Sequence, residues 1–100
     1  MGEMHTDLHD GLGTIYITLF RLRFFRKRIQ LIRFELDVNA HIGWHKHLVS
    51  KEFCITFDRS IRFNESPTWK FFNVCKNGDR HCIRNLSLTD CANVYAIKIW

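Results

Sequence analysis

A strict alternation of apolar and polar residues runs from Ile32 to Ile42. Apolar side chains occupy the even positions and polar side chains occupy the odd positions throughout this stretch. Successive side chains of a β-strand project from opposite faces of its sheet, so a period of two is typical of a strand with one buried face. The stretch therefore predicts a half-buried β-strand.

Shorter segments with strand character recur along the chain. Phe53, Ile55 and Phe57 alternate with smaller or polar residues. Residues 69–86 read as two strands joined at Asn77-Gly78, because Asn and Gly tolerate the positive φ of tight hairpin turns. Roughly six or seven short strands, with a turn about every ten residues, are typical of a β-sandwich or barrel. The sequence thus predicts an all-β antiparallel fold.

The segment between residues 12 and 31 fits two kinds of secondary structure. Ile15, Leu19 and Leu22 lie at the helical spacing of three to four residues. The density of β-branched and aromatic side chains in the same segment favours a strand. We expect a strand that ends near Phe24.

The length and composition indicate one globular domain. Of the 100 residues, 46% are hydrophobic and 25% are charged, which is typical of a globular chain rather than a disordered one. This length suffices for one hydrophobic core, but not for a core plus a separate catalytic lobe. We therefore predict a flexible N-terminus over residues 1–13 and a single β-rich domain over residues 14–100.

Positive charge is concentrated in one short stretch. The net charge is +5, and several basic residues follow one another closely without an acid among them. These residues are Arg21, Arg23, Arg26, Lys27 and Arg28. Such a run can attract phosphate groups, so the five are candidate polyanion-binding residues, with a solvated face as the simpler explanation.

The cysteines and the N-terminus indicate a cytoplasmic protein. Cys54, Cys75, Cys82 and Cys91 match neither the spacing of a metal knuckle nor that of a small secreted disulfide framework. Acidic residues precede the first apolar run, which stops at Arg21 and is too short for a membrane span. We predict free thiols, a cytoplasmic location and no membrane span.

The sequence offers no complete set of catalytic or metal-binding residues at a recognisable spacing. His45 and His47 are alternate residues that could share a zinc ion, but no second pair at ligand spacing completes such a site. Surface histidines that flank a buried Trp44 are the simpler interpretation. Acid–base and nucleophilic chemistry also lack converging partners. We therefore predict no enzyme activity, no metal and no cofactor.

Two segments, "FELDVNAHIGWHK" and "IRNLSLTDCANVY", carry short motifs in a definite order. The first contains a Glu-Leu pair and a Trp two residues before a Lys, and the second contains Asp90, Ala92 and Tyr95. They resemble the B-to-C region and the E-to-F corner of immunoglobulin-type I-set domains, the intracellular muscle type found in titin and myosin-binding protein C. The resemblance covers residues 29–100 and implies an immunoglobulin-like antiparallel sandwich.

The resemblance also implies a set of core residues. Phe34 and Ile97 stand where such domains carry their bridging cysteines, and Trp44 and Tyr95 mark strands C and F. Burial of the first two would stabilise the domain by about 2 kcal/mol each, which is comparable to a disulfide. The chain ends at Trp100 and leaves no segment for a G strand, so we expect an incomplete sandwich with one open strand edge.

The functional prediction follows from the resemblance. We expect a non-enzymatic structural or protein-binding module with cytoskeletal or sarcomeric partners. We expect residues 14–24 to cover the open edge of residues 94–100, with self-association through that edge as the other outcome. The alternative is a small basic nucleic-acid-binding protein, in which Arg21 to Arg28 bind phosphates and exposed aromatic residues stack on bases. The aromatic candidates are Phe24, Phe25, Trp69, Phe71 and Phe72.

Overall fold

The computed structural model of the chain describes residues 2–6, 13–24, 26–46, 50–76 and 78–100. Nine strands form in these ranges: β1 Gly2–Thr6, β2 Thr14–Phe24, β3 Lys27–Leu36, β4 His41–Lys46, β5 Lys51–Ile55, β6 Ile61–Phe63, β7 Phe72–Cys75, β8 Arg80–Asn85 and β9 Ala92–Ile99. The predicted all-β class is confirmed. Within the described ranges, no helix is long and apolar enough to cross a membrane.

The strands form two antiparallel sheets around one core. Six strands make the large sheet, in the order β1-β2-β3-β9-β5-β7, and three make the small sheet, in the order β4-β8-β6. Ile15, Leu36 and Val94 of the large sheet meet Ile42 and Ile83 of the small sheet in one buried cluster. The core therefore lies between the sheets, and a buried site must lie on their inner faces.

The alternation over residues 32–42 covers two strands instead of one. Between β3 and β4 the amide of Ala40 donates to the carbonyl oxygen of Asp37 (3.0 Å), and Asn39 has a positive φ of 52°. This turn moves the chain from the large sheet to the small one. The apolar positions remain on the inside except Val38, which lies in the turn and is 40% exposed. The predicted buried face is correct, but the predicted strand is divided by a turn.

The ambiguous N-terminal region consists of strands. β2 spans 11 residues and pairs with β3 along its whole length, from Ile15 opposite Leu36 to Phe24 opposite Lys27. The expected strand ending near Phe24 is confirmed. The N-terminus, expected to be flexible over residues 1–13, contains β1, which pairs antiparallel with β2.

β7 and β8 do not form the hairpin predicted at Asn77-Gly78. Asn77 lies outside the described residues, and Gly78 has a φ of 88°. β7 pairs with β5 in the large sheet, whereas β8 pairs with β4 and β6 in the small sheet. The connection crosses between the sheets, so its turn residues indicate a change of direction but not a pairing partner.

The immunoglobulin-like topology predicted from the two motifs is wrong. The resemblance places Phe34 and Ile97 in opposite sheets, where they would face each other across the core. Their strands β3 and β9 are instead neighbours in the large sheet, with Phe34 opposite Val94 and Ile97 opposite Leu31. Residues on adjacent strands of one sheet cannot form the two ends of an inter-sheet bridge.

Three of the four expected core residues lie at the surface. Phe34 packs against the core, but Trp44, Tyr95 and Ile97 are 39%, 46% and 38% exposed. A β-bulge within β4 shifts its alternation and turns Trp44 outward. In β9 the smaller, even-numbered residues face the core, which leaves the larger odd-numbered ones on the outer face. The alternation was recognised, but the inner face was assigned to the wrong set of side chains.

The expected open edge is absent from β9. This strand pairs with β3 on one side and with β5 on the other. β2 pairs with β3 and therefore does not cover β9. Self-association by strand addition to the C-terminal strand has no free edge to use.

Candidate metal centre

β5 directs a carboxylate and a thiol into the interior. Burial alternates along Lys51–Ile55, so Glu52 and Cys54 lie inside while their neighbours face outward. Glutamate is almost never fully buried unless it is paired or binds a cation. Buried Glu52 therefore marks the inner face of β5 as a candidate site.

Glu52, Cys54 and His81 bring three different ligand atoms together. Cys54 Sγ donates to Glu52 Oε1 at 3.1 Å, and His81 Nε2 lies 3.7 Å from the same oxygen. All three ligand atoms lie within 4.8 Å of one another, and all three side chains are buried. Atoms bound about 2.0–2.3 Å from a tetrahedral zinc ion are roughly 3.3–3.7 Å apart. The cluster therefore has nearly the dimensions of a metal centre.

His45 lies beside this cluster on β4. His81 is its Cα partner on β8, and the two ring centroids are 4.2 Å apart. His45 Nδ1 lies 2.9 Å from the carbonyl oxygen of Gly43. Because a carbonyl oxygen only accepts, Nδ1 donates, and Nε2 of the neutral ring carries the lone pair. A tautomer held by the backbone in this way is typical of metal-binding histidines. His45 is therefore a fourth candidate ligand.

The four candidate ligands come from both sheets. Glu52 and Cys54 belong to the large sheet, while His45 and His81 belong to the small one. His47, the second histidine of the pair considered in the sequence, lies outside the described residues. A cation bound here would join the two sheets across the interior.

Burial opposes ionisation of the Cys54 thiol. Desolvation raises its pKa well above the usual value, and the charge of Glu52 and the hydrogen bond to it raise the pKa further. Lys98 has the opposite, smaller effect. Burial also raises the pKa of Cys75, which stands opposite Glu52 in the β5–β7 ladder. Cys54 therefore remains a thiol at neutral pH until a cation replaces its proton.

The β2–β3 hairpin separates the five predicted basic residues. All five are exposed. Arg26 lies at the turn with a φ of 66°, and Lys27 projects from the outer face of the large sheet. The remaining three lie an even number of positions from buried Ile15 on β2 or buried Ile32 on β3, so they project from the same inner face as these two residues. These three are Arg21, Arg23 and Arg28.

Three of the aromatic residues predicted to stack on bases have side chains that the structure describes, and these three are not collected beside the basic residues. Phe71 and Phe72 are exposed and contact each other, with ring centroids 4.7 Å apart. Trp69 packs under the guanidinium group of Arg59 at 5.2 Å. The side chain of Phe24 and all of Phe25 lie outside the described residues. β7, which carries Phe72, is separated from β2 by three strands of the large sheet.

Sequence reasoning missed Glu52, Cys54 and His81 as site residues. A signal was present, since His45, His47, Glu52 and Cys54 place four ligand-type side chains within ten positions. The decisive partner, His81, reaches the cluster from a distant strand of the other sheet. Local ligand spacing therefore could not reveal the site.

Solved structures share this architecture. No protein-family model and no curated protein sequence matches the chain. A predicted oxalate decarboxylase from Thermotoga maritima superposes with a TM-score of 0.72 at 18% identity, covering 99% of this chain and 91% of that one. The Cnp3 cupin domain of Schizosaccharomyces pombe gives 0.62 at 7% identity, over 84% and 59%. A cupin domain from Bordetella pertussis gives 0.51 at 11% identity, over 83% and 90%.

The chain has a cupin-like fold. Two of these three structures are described as cupin domains, and none of the three is described as an immunoglobulin-type domain. The predicted muscle-type structural module is therefore wrong, because it depended on the immunoglobulin topology. The nucleic-acid alternative depended on basic and aromatic residues acting together, and the described ones lie on different surfaces of the cupin-like fold. The prediction of no enzyme activity came from the lack of a catalytic residue set in the sequence, and the fold gives it no support.

Proposed function

We propose that this protein binds a divalent transition metal between its two sheets. Glu52, Cys54 and His81 are the core of the site, and His45, which contacts the His81 ring from outside this cluster, is the candidate for a fourth ligand. The main support for this proposal is that a carboxylate oxygen, a thiol sulfur and an imidazole nitrogen lie buried within 4.8 Å of one another. Zinc prefers this mixture of nitrogen, oxygen and sulfur ligands in tetrahedral sites.

The donor set fits a metal better than a purely structural role. A carboxylate, a thiol and an imidazole at this depth have lost their hydration, and a cation bound by all three would offset that loss. A bound cation would neutralise Glu52 and the Cys54 thiolate together. Such a metal would act as a Lewis acid toward a ligand oxygen, while the two histidines hold it in place from the small sheet.

Cobalt binding tests this proposal. We expect the metal-free protein, in a Cys91→Ser background that removes the exposed thiol, to bind one Co²⁺ with a cobalt–thiolate charge-transfer band. Cys54→Ser should abolish the band, and Glu52→Gln should weaken Co²⁺ binding at least tenfold. Both substitutions keep the side-chain shape, and circular dichroism monitors the fold.

The matched control is Cys82→Ser. Cys82 is equally buried and follows His81 directly, but it is not part of the ligand cluster. This variant should retain the charge-transfer band and the stoichiometry. Absence of the band from the folded parent protein, or its persistence in Cys54→Ser, would refute the metal centre.

A further inference from the structure

A row of polar side chains crosses the large sheet beside the candidate metal centre. Arg21, Gln30, Lys98 and Glu52 are successive Cα partners on β2, β3, β9 and β5. Partners in an antiparallel ladder project from the same face of the sheet. Because Glu52 is on the inner face, the other three also line that face.

A second row lies one step further toward the end of the strands. Arg23 is the partner of Arg28, and the amide of Trp100 donates to the carbonyl oxygen of Arg28 at 3.1 Å. The Arg28 guanidinium and the Lys98 ammonium groups each lie 5.4 Å from the centre of a Trp100 ring. One indole therefore positions two cations by cation–π contacts.

The β2 and β3 members of these rows line a cavity of about 480 Å³ together with Trp100. Its lining residues are Arg21, Leu22, Arg23, Arg28, Ile29, Gln30 and Trp100. Its volume is that of a small-molecule site. Three guanidinium groups line it, and none of the described residues lining it carries a carboxylate. Guanidinium groups bind carboxylates and phosphates through paired hydrogen bonds.

We propose that this cavity binds the anionic group of a small organic acid or phosphate ester whose other end reaches the metal. The second part rests on the proposed metal centre. Neighbouring strands are about 4.8 Å apart, so Lys98 is one strand from Glu52 and Gln30 is two. An anion held beside Gln30 and Arg28 in the cavity therefore lies roughly 10 Å from the metal, which suits a ligand with a short carbon chain between its two ends.

Anion binding to the metal-free protein tests the cavity separately. We expect inorganic phosphate and succinate to bind one site in calorimetric titrations. Arg28→Gln should weaken both at least tenfold. Lys27→Gln removes the same charge from the adjacent residue on the opposite face of β3, and it should change either affinity by less than twofold. Equal losses in the two variants, or no saturable binding to the parent protein, would refute the cavity as an anion site.

The metal-dependent part has its own measurement. Arg28→Gln should bind Co²⁺ as the parent does, while succinate should bind the Co²⁺-loaded parent more tightly than the metal-free protein and should alter its cobalt spectrum. Phosphate binding without any Co²⁺ binding would refute the metal centre and leave the anion cavity intact. Succinate binding that is equal with and without cobalt would show that the ligand does not reach the metal.

The outer face of the large sheet carries an independent feature. Two ladder rows cross it with apolar side chains on successive strands, namely Phe20, Leu31, Ile97, Phe53 and Val74, and Tyr95, Ile55 and Phe72. Their exposed fractions lie between 37% and 59%. With Tyr16 and Leu22 of β2, the exposed apolar area is on the order of 800 Å². That exceeds the usual largest apolar patch of a monomer.

We infer that a second copy of the chain covers this face. The area equals the roughly 800 Å² that each partner contributes to a standard interface. Arg33 and Glu35 on β3 lie within this face, and Lys27 and Lys51 lie at one end of it. A two-fold axis can bring Arg33 of one copy within reach of Glu35 of the other. Two such sheets can pack face to face at the usual separation of about 10 Å.

Sedimentation velocity tests the dimer. We expect a dimer at micromolar concentration, and Phe20→Asp, a substitution at an exposed position, should weaken it at least tenfold. Leu88→Asp is the control, because Leu88 is 76% exposed and lies outside the sheets. A parent protein that stays monomeric up to about 100 μM, or equal dissociation in the two variants, would refute the interface.

Discussion

At the scale of single residues, Cys54 combines burial, charge and ligand chemistry. Its pKa is raised by desolvation and then by Glu52, so the metal-free site holds a proton where a metal would bind. Only the thiolate is a metal ligand. Metal binding must therefore displace that proton.

Proton release on metal binding is the first prediction. Titration of Zn²⁺ into the metal-free Cys91→Ser protein at pH 7, in two buffers with different ionisation enthalpies, should show at least one proton released per metal. Cys54→Ser should lower that number by about one. The apparent affinity should rise about tenfold per pH unit for each proton displaced. Binding enthalpies that do not depend on the buffer would contradict this expectation.

The buried thiols also predict how the metal-free protein responds to alkali. The folded-state pKa of Cys54, Cys75 and Cys82 is raised, chiefly by burial, so the folded state holds more protons than the unfolded state above the unfolded thiol pKa of about 8.5. The contribution of these thiols to the free energy of unfolding is therefore fully present below that pH. Above it, the free energy of unfolding decreases by up to about 1.4 kcal/mol per thiol for each pH unit. Urea unfolding at pH 7 and 9.5 measures the decrease, which Cys54→Ser should reduce.

At the scale of elements, Asn85 holds together the corner where β3 and β8 end. Its buried Nδ2 donates to the carbonyl oxygens of Leu36 (3.2 Å), Asp37 (3.1 Å) and Asp90 (2.9 Å), and its Oδ1 accepts from the Ser87 amide (3.0 Å). The side chain of Asn85 thus forms hydrogen bonds with backbone groups at the end of β3, after β8 and before β9. The corner that resembled an immunoglobulin motif is stabilised by this amide.

Asn85→Ala should lower the free energy of unfolding by about 3 kcal/mol, since it removes the hydrogen bonds of a fully buried amide and leaves a cavity in its place. Thr89→Ala is the control, because Thr89 lies exposed in the same corner and its loss should cost less than about 1 kcal/mol. Chemical denaturation of both variants measures the difference. Similar values for the two would show that Asn85 does not hold the corner.

The elements also show how far the sequence predicts this protein. Strands were recognisable, including β2, because alternation and β-branched density are local properties. The pairing of the strands was not recognisable from the sequence. A turn signal joins β7 and β8, yet the two strands belong to different sheets. In β9 both faces are apolar, so the pattern could not show that Tyr95 points outward. The candidate site depends on the pairing of distant strands and was invisible for the same reason.

At the scale of the whole molecule, the candidate metal centre is a connection between the sheets. Glu52 and Cys54 belong to the large sheet and His81 to the small one, so the ligand set exists only when both sheets are folded and packed. A metal that binds the folded state and not the unfolded state stabilises it by about 2.7 kcal/mol at a free concentration of 100 times its Kd. We therefore expect Zn²⁺ to stabilise the whole fold.

Thermal unfolding with and without Zn²⁺ provides the measurement. For a domain of about 100 residues, a stabilisation of this size should raise the Tm by roughly 10–20 °C. Mg²⁺ should have no comparable effect, because it prefers all-oxygen sites. Glu52→Gln should reduce the zinc-dependent shift, while Cys82→Ser should retain it, although both positions are buried. A Tm shift that is equal in these two variants would mean that zinc binds elsewhere. If one sheet of the zinc-bound protein unfolds at a lower temperature than the other, the metal does not join the two sheets.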